Sequence, residues 1–227
     1  MALLLHIDTA LEKAFVGLSR NGELLMELNN TVQYDHAAFV QPAIQQMINA
    51  LHITLNAIDG VGITSGPGSY TGLRVGMASA KGICYALGKP LVAVSTLEVM
   101  AAAAVEAFPG FDVYAPMIDA RRKEVYTALY NPQGEVVLPP HAATLSGDLF
   151  AQVPGYKKVL CFGSGAPKWE DMRLVNENTC FEKIDYNSTH LSQLLFNSFK
   201  NNNFCSLAYM EPLYVKDFYF EGSKRAK

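Results

Sequence analysis

Two periods of apolar spacing run through this chain. Residues 3–8, 58–64 and 91–94 are short apolar runs of strand length. Residues 13–20 and 23–28 flank Asn21-Gly22, a dipeptide favoured in two-residue hairpin turns because both positions take positive φ. The chain is therefore predicted to open with a three-strand meander. Asp35 stands where it would cap a helix reaching about Leu51, with Phe39, Ile44, Met47, Ile48 and Leu51 along one side. Pro42 lies inside that pattern and predicts a kink or a later start. Residues 75–87 are too long and too poor in β-formers for a strand, so they predict a helix, which Lys89-Pro90 ends. Ser95 caps another helix reaching about Phe108, with Glu98 completing a capping box.

After Pro109-Gly110 the pattern repeats. His6-Ile7-Asp8, Lys13 to Leu18 and Asn21-Gly22-Glu23-Leu24 describe the first meander. Met117-Ile118-Asp119, Glu124 to Leu129 and Gln133-Gly134-Glu135-Val136 describe a second. A repeat of about 110 residues is too long for a solenoid unit. It predicts two domains, residues 1–108 and 109–227, each built in the order βββαβα. Asp8 and Asp119 would then close equivalent strands and face a cleft between the halves. The second half reads more faintly. A short helix is predicted at 146–152, strands at 157–162 and 179–184, and a helix at 190–200 ended by Asn201-Asn202-Asn203. An aromatic tail follows at 208–220, with residues 224–227 frayed.

Between the strand at 58–64 and the helix at 75–87 lies Ser65-Gly66-Pro67-Gly68-Ser69-Tyr70-Thr71-Gly72-Leu73-Arg74. Gly66, Gly68 and Gly72 suit positive φ or close approach of other groups. Ser69 and Thr71 are residues that cap helix N-termini, where free N–H groups also attract anions. A capped turn and a ligand cradle are both open on these residues. Gly72, Gly76 and Ala80 then recur at four-residue spacing. Gly76 and Gly82 each cost about 1 kcal/mol relative to alanine in a helix. Close approach of another backbone would offset that cost, either the chain's own sheet or a helix of a second chain.

Composition narrows the function. The chain has 227 residues, 50% of them hydrophobic and 17% charged, with a net charge of −3. That balance argues against a strong non-specific nucleic-acid binder. Cys84, Cys161, Cys180 and Cys205 form no CxxC pair and read as reduced thiols of a cytoplasmic protein. The apolar start is too short for a signal peptide, and no apolar run reaches membrane-spanning length. The turn from Asp8 through Thr9 to Lys13 occupies the place of a phosphate-cradling hairpin turn, but it lacks glycine and carries Glu12. It would hold ATP or ADP weakly if at all. Gly163 and Gly165 suit a base or ribose contact or a plain turn. No HxxxH or HxH spacing occurs among the histidines, so no metal site is expected. His36 reads as a capping or interface residue. There is no GxSxG elbow. Arg121-Arg122-Lys123 is the one basic run, read as a solvated turn, with a phosphate or RNA contact as the sharper alternative.

Leu5-His6-Ile7-Asp8-Thr9, His36-Ala37-Ala38, the glycine stretch through Gly76, Ala80-Lys81-Gly82, and Ile118 through Tyr126 together resemble the TsaB (YeaZ) family, in order over roughly the first 130 residues. The resemblance implies an actin-like ATPase (ASKHA) fold of two ribonuclease-H-like halves, the second shortened. It implies a non-catalytic role in forming N6-threonylcarbamoyladenosine at position 37 of tRNAs that read ANN codons. TsaD would be the partner, TsaE would join the complex, tRNA would be met only through it, and the chain alone would be a homodimer. The implied contact surface is the first two helices, at about 35–51 and 71–87. It would carry His36, Phe39, Gly72, Val75, Gly76, Ser79, Ala80 and Ile83, beside the loop of Gly66, Gly68, Ser69, Tyr70 and Thr71. TsaD proteins bind metal through a paired-histidine helix, and Val40 stands where the second histidine would be. The rival expectation is an ATP-binding kinase or hydrolase of the same superfamily using Asp8 and Asp119.

Overall fold

A computed structural model describes residues 1–32, 35–145, 155, 157–172 and 178–216. Strands β1 (Leu3–Asp8), β2 (Ala14–Arg20) and β3 (Glu23–Asn30) form the antiparallel meander. Its hairpin has Asn21 at φ 53° and Gly22 at φ 86°, as the dipeptide predicts. Helix α1 (His36–Ala50) leads to β4 (Gly60–Thr64), α2 (Tyr70–Leu87), β5 (Leu91–Val94) and α3 (Thr96–Ala107). Strands β4 and β5 add parallel to β1, giving the sheet order β3-β2-β1-β4-β5.

The second half repeats this plan. β6 (Val113–Asp119), β7 (Glu124–Tyr130) and β8 (Val136–Thr144) are antiparallel. β9 (Val159–Phe162) and β10 (Thr179–Glu182) add parallel beside β6, giving β10-β9-β6-β7-β8. Helices α4 (Ala166–Met172) and α5 (Ser188–Lys200) complete the described elements. Two mixed five-stranded sheets with the same order are the two ribonuclease-H-like halves of the actin-like ATPase fold.

Alternation along the strands places the core. Leu3, Leu5 and Ile7 of β1 face α1 and α2, where they meet Val40, Ile44, Met47, Met77, Ala80 and Cys84. Leu4 faces the opposite way, with Val92, Val94, Leu191 and Leu195 under α5. Thus α5 follows the second sheet in sequence and packs on the first. Helix α3 covers one face of the second sheet through Leu97, Met100, Ala101 and Ala104 against Tyr114, Ile118, Leu160 and Phe162.

Several boundaries differ from the sequence reading. Helix α2 starts at Tyr70 rather than near residue 75, because Ser69 is its N-cap and accepts from Gly72 N at 3.3 Å. Strand β4 starts at Gly60, after a 3-10 turn over Leu55–Ala57. Asp35 holds the N-cap position of α1, but its side chain makes no capping bond. The helix runs through Pro42, whose side is exposed. The helix expected at 146–152 and the frayed end at 224–227 lie outside the described residues.

After α5 the chain doubles back along α2 as a strap, residues 205–216. Cys205 N donates to Leu91 O at 2.8 Å, on the edge of β5. Lys81 Nζ donates to Met210 O at 3.0 Å, and Leu213 N donates to Ser65 O at 2.7 Å. Arg74 Nε donates to Tyr214 Oη at 3.0 Å, with its guanidinium 4.0 Å from the centre of the Tyr70 ring. Lys216 ends the strap against Glu124 of β7.

Candidate functional site

The glycine stretch and the turn between β1 and β2 form one site. In the fold's nucleotide-binding members that turn would cradle phosphate, so its polar groups matter individually. Asp8 closes β1 and is fully buried. Its Oδ1 accepts from Ala10 N at 2.9 Å and from Thr64 Oγ1 at 2.7 Å, and its Oδ2 accepts from Tyr186 Oη at 2.8 Å. Burial raises its pKa, against the pull of these three donors and of His36 nearby. Tyr186 lies just before α5 and stacks near Phe15, with ring centres 5.8 Å apart. Its hydroxyl is pushed well up by burial and by the Asp8 carboxyl.

The next three residues each reach a helix. Thr9 Oγ1 donates to Gly72 O at 2.7 Å. Ala10 O accepts from Ser69 N at 2.7 Å. Leu11 O lies 3.0 Å from His36 Nε2, which therefore carries the proton and donates. The glycines allow this closeness. A Cβ on Gly68 would lie 2.2 Å from Ala10 O, one on Gly72 2.0 Å from Thr9 O, and one on Gly76 2.4 Å from Thr9 Oγ1. Of the three glycines suited to positive φ or close approach, only Gly66 takes positive φ, at 112°. Gly68 and Gly72 serve close approach alone.

In this geometry two of the turn's polar groups are unavailable to a phosphate. The turn's hydroxyl and its Ala10 amide are already committed within the chain, and α2 sits against the turn with no room for a Cβ between them. Asp8 does not face an open cleft as expected, because Tyr186 covers it.

The second half mirrors the arrangement in a looser form. Asp119 closes β6, and its Oδ1 accepts from Arg121 N at 2.7 Å, as Asp8 does from Ala10. Its side chain is 37% exposed and pairs with Lys168. Its pKa is lowered: burial acts upward and is outweighed by hydrogen bonds from Lys168 and Arg121 N and by their charges. Asp119 N donates to Ser164 Oγ at 3.1 Å. Gly163, at φ 95°, and Gly165 lie close on β6 and β7, where their Cβ atoms would fall 2.5 Å from Met117 O and 2.6 Å from Val125 Cγ1. These two glycines bring a loop onto a strand end, as Gly68 and Gly72 do in the first half. Among the described residues no three His, Cys, Asp or Glu side chains cluster as metal ligands would. No helix there is long and apolar enough to cross a membrane.

The residues expected on the contact surface divide. His36, Gly72, Gly76 and Ala80 are buried in the chain's own core, so they cannot present a surface. Phe39, Val75, Ser79 and Ile83 are half-buried. The exposed face of α2 is rotated from the expected one and carries Thr71, Arg74, Ala78, Gly82, Tyr85 and Ala86. Gly82 was the available signal: it breaks the Gly72-Gly76-Ala80 register, and a Cβ there would meet nothing within 4 Å. Tyr70 and Thr71 open α2 on its exposed side.

Comparison with known proteins agrees with this architecture. A family model described as TsaD, tRNA N6-adenosine threonylcarbamoyltransferase, matches residues 30–207. TsaB of Bacillus subtilis is 34% identical over 127 residues, which is 56% of this chain and 54% of that protein, about half its length. TsaB of Escherichia coli is 30% identical over 178 residues, 74% of each chain. The solved structure of YeaZ from Pseudomonas aeruginosa matches with a TM-score of 0.77 at 27% identity, covering 94% of this chain and 100% of that one. The chain belongs to the family that the TsaD model describes and, within it, to the TsaB (YeaZ) family of tRNA threonylcarbamoyladenosine biosynthesis proteins.

Proposed function

We propose that this chain is a non-catalytic scaffold subunit for forming N6-threonylcarbamoyladenosine at position 37 of tRNAs that read ANN codons. It holds a TsaD subunit through the outer face of α1 and α2. The observation that carries this reading is that face itself. Helix α1 contains no Asp, Glu, Lys or Arg and exposes Ala37, Ala38, Gln41, Pro42 and Gln45. Beside it α2 exposes Ala78, Gly82 and Ala86, with Tyr85 at 85% exposure. Arg74 is the charged side chain that α2 exposes on this stripe, where Tyr70 and Tyr214 hold its guanidinium; the rest of the face, without charge, costs little to desolvate, and its small residues let a partner helix come near. Gly82 weakens its helix by about 1 kcal/mol, and no contact among the described residues uses the space it leaves. The chain's own likeness to TsaD favours pairing of like helices from like folds. On the same reading the chain alone dimerises in the cytoplasm through this face, and TsaE and tRNA join only once TsaD is bound.

Gly82→Arg tests the face without touching the core. Size-exclusion chromatography with light scattering should show co-elution with TsaD for the native chain and none for the variant, at unchanged melting temperature. A variant that still forms a stoichiometric complex would falsify the reading.

This role needs no bound nucleotide or metal. A ligand at one hundred times its Kd stabilises a fold by about 2.7 kcal/mol. Millimolar ATP with magnesium is therefore expected to leave the melting temperature unmoved. A rise of several degrees would restore the kinase or hydrolase reading through Asp8 and Asp119.

A further inference from the structure

We propose that the contact with the TsaD subunit extends from α2 onto the strap, with Tyr85 and Tyr209 as its aromatic anchors. This deepens the scaffold reading and rests on it. Among the described residues nine large apolar or aromatic side chains are exposed, and five of them lie on α2 or along residues 204–213: Tyr70, Tyr85, Phe204, Tyr209 and Leu213. Exposed hydrophobic residues scattered singly are ordinary, whereas their concentration on one stretch of surface marks a contact. Tyr70 stacks against Tyr214 and Arg74, Phe204 meets the Phe199 ring, and Leu213 is tied through its backbone to Ser65. Tyr85 and Tyr209 differ from these. They are 85% and 86% exposed, and neither makes a hydrogen bond or ring contact among the described residues. A ring left in water contributes almost nothing to folding.

The strap brings the two tyrosines to one place. It runs antiparallel to α2, from Cys205 at Leu91, past Met210 at Lys81, to Tyr214 at Arg74. Tyr209 therefore comes level with the turn of α2 from Lys81 to Tyr85. Cys205, Leu207 and Met210 pack inward on the core of the first sheet. A turn closed by Met210 N donating to Ser206 O at 2.8 Å leaves Tyr209 on the outside. Tyr85 already belongs to the face assigned to TsaD, so Tyr209 continues that face instead of starting another. The nearby charges are engaged within the chain: Lys81 donates to Met210 O, and Arg74 lies between Tyr70 and Tyr214 with the Glu211 carboxylate in electrostatic reach. This seat fits a helix of the TsaD subunit that sets an apolar side chain on the ring faces and acceptors at the two hydroxyls. Tyrosine suits the task, since it offers a large rigid face with a polar tip and recurs where binding energy concentrates.

The test titrates fluorescently labelled TsaD with the full chain and with Tyr209→Ala, read by anisotropy. The variant is expected to bind at least tenfold more weakly. Its melting temperature should not move, because no described contact uses the ring. Val136→Ala, which removes an exposed apolar side chain on β8, is expected to bind as the native chain does. A loss below tenfold for Tyr209→Ala, or an equal loss for Val136→Ala, overturns the proposal. Gly82→Arg is titrated beside them to separate the two readings. Binding by Gly82→Arg removes the scaffold reading and this one with it. No binding by Gly82→Arg, together with native affinity for Tyr209→Ala, removes the strap contact alone. Light scattering on the free variants tests the other occupant, a second copy of this chain. A Tyr209→Ala chain that loses its homodimer but binds TsaD as before gives the seat to that second copy and overturns the proposal equally.

Discussion

Gly72→Ala is expected to cost about 3 kcal/mol of folding stability, while Gly82→Ala on the same helix adds about 1 kcal/mol. The two glycines occupy one helix, so intrinsic propensity favours alanine at both. Their surroundings set the opposite signs. A Cβ at Gly72 would lie 2.0 Å from the carbonyl oxygen of Thr9. No rotamer change relieves that contact, because the obstructing atom is backbone. Either α2 moves away from the turn or the turn moves away from α2. Each movement breaks the bond from Thr9 Oγ1 to Gly72 O and loosens the one from Ser69 N to Ala10 O. The estimate therefore sits at the upper end of what overpacking usually costs. At Gly82 the added methyl group meets nothing, and the helix gains its propensity. Urea unfolding of the two variants checks both signs. Equal shifts would mean that α2 does not press on the turn.

Acid is expected to remove about 2 kcal/mol of stability between pH 6.5 and pH 5 through a single side chain, His6. It lies on β1, fully buried, and neither ring nitrogen has a hydrogen-bond partner among the described residues. Gly17 on the neighbouring strand makes room for the ring; a Cβ there would lie 2.1 Å from His6 Cε1. Burial lowers the His6 pKa from 6.5 to about 4, although the Glu27 carboxylate pulls the other way. The folded state therefore refuses a proton that the unfolded chain accepts. His6 has no effect on stability above pH 6.5, and stability falls as the pH drops from 6.5 towards 4. Asp8 acts with the opposite sign: its pKa is raised, so its contribution declines as the pH rises above 3.8. The difference between the native chain and His6→Leu isolates the imidazole. The leucine variant should gain about 2 kcal/mol on the native chain between pH 7.5 and pH 5. Parallel pH profiles would show that the ring is hydrated.

Local chemistry was legible in the sequence, and long-range closure was not. Asn21-Gly22, the cap at Ser69 and the repeated strands ending in Asp8 and Asp119 each rest on neighbours in sequence, and each is where the pattern places it. The side on which the small residues of α2 face inward was left open, since periodicity gives a stripe but not its partner. Thr9, 63 residues before Gly72 in the chain, decides it. Tyr186 is 178 residues from Asp8, and no spacing rule could have brought its hydroxyl onto that carboxylate. The left-handed run at Arg121-Arg122-Lys123 was visible only as charge, because backbone strain leaves no mark in composition.

The strap gives this fold an order of assembly in time. Strand β5 and helix α2 are synthesised early, yet α5 and residues 205–216, which cover them, come roughly 100 residues later. At about 5–20 residues per second, the ribosome leaves the underside of the first sheet bare for roughly 5–20 s. During that interval Leu4, Val92 and Val94 have no helix above them, and the edge of β5 is unpaired. The first half therefore emerges as a sticky intermediate that closes only after the second half has been made. Nascent chains stalled before residue 188 are the ones a chaperone would hold.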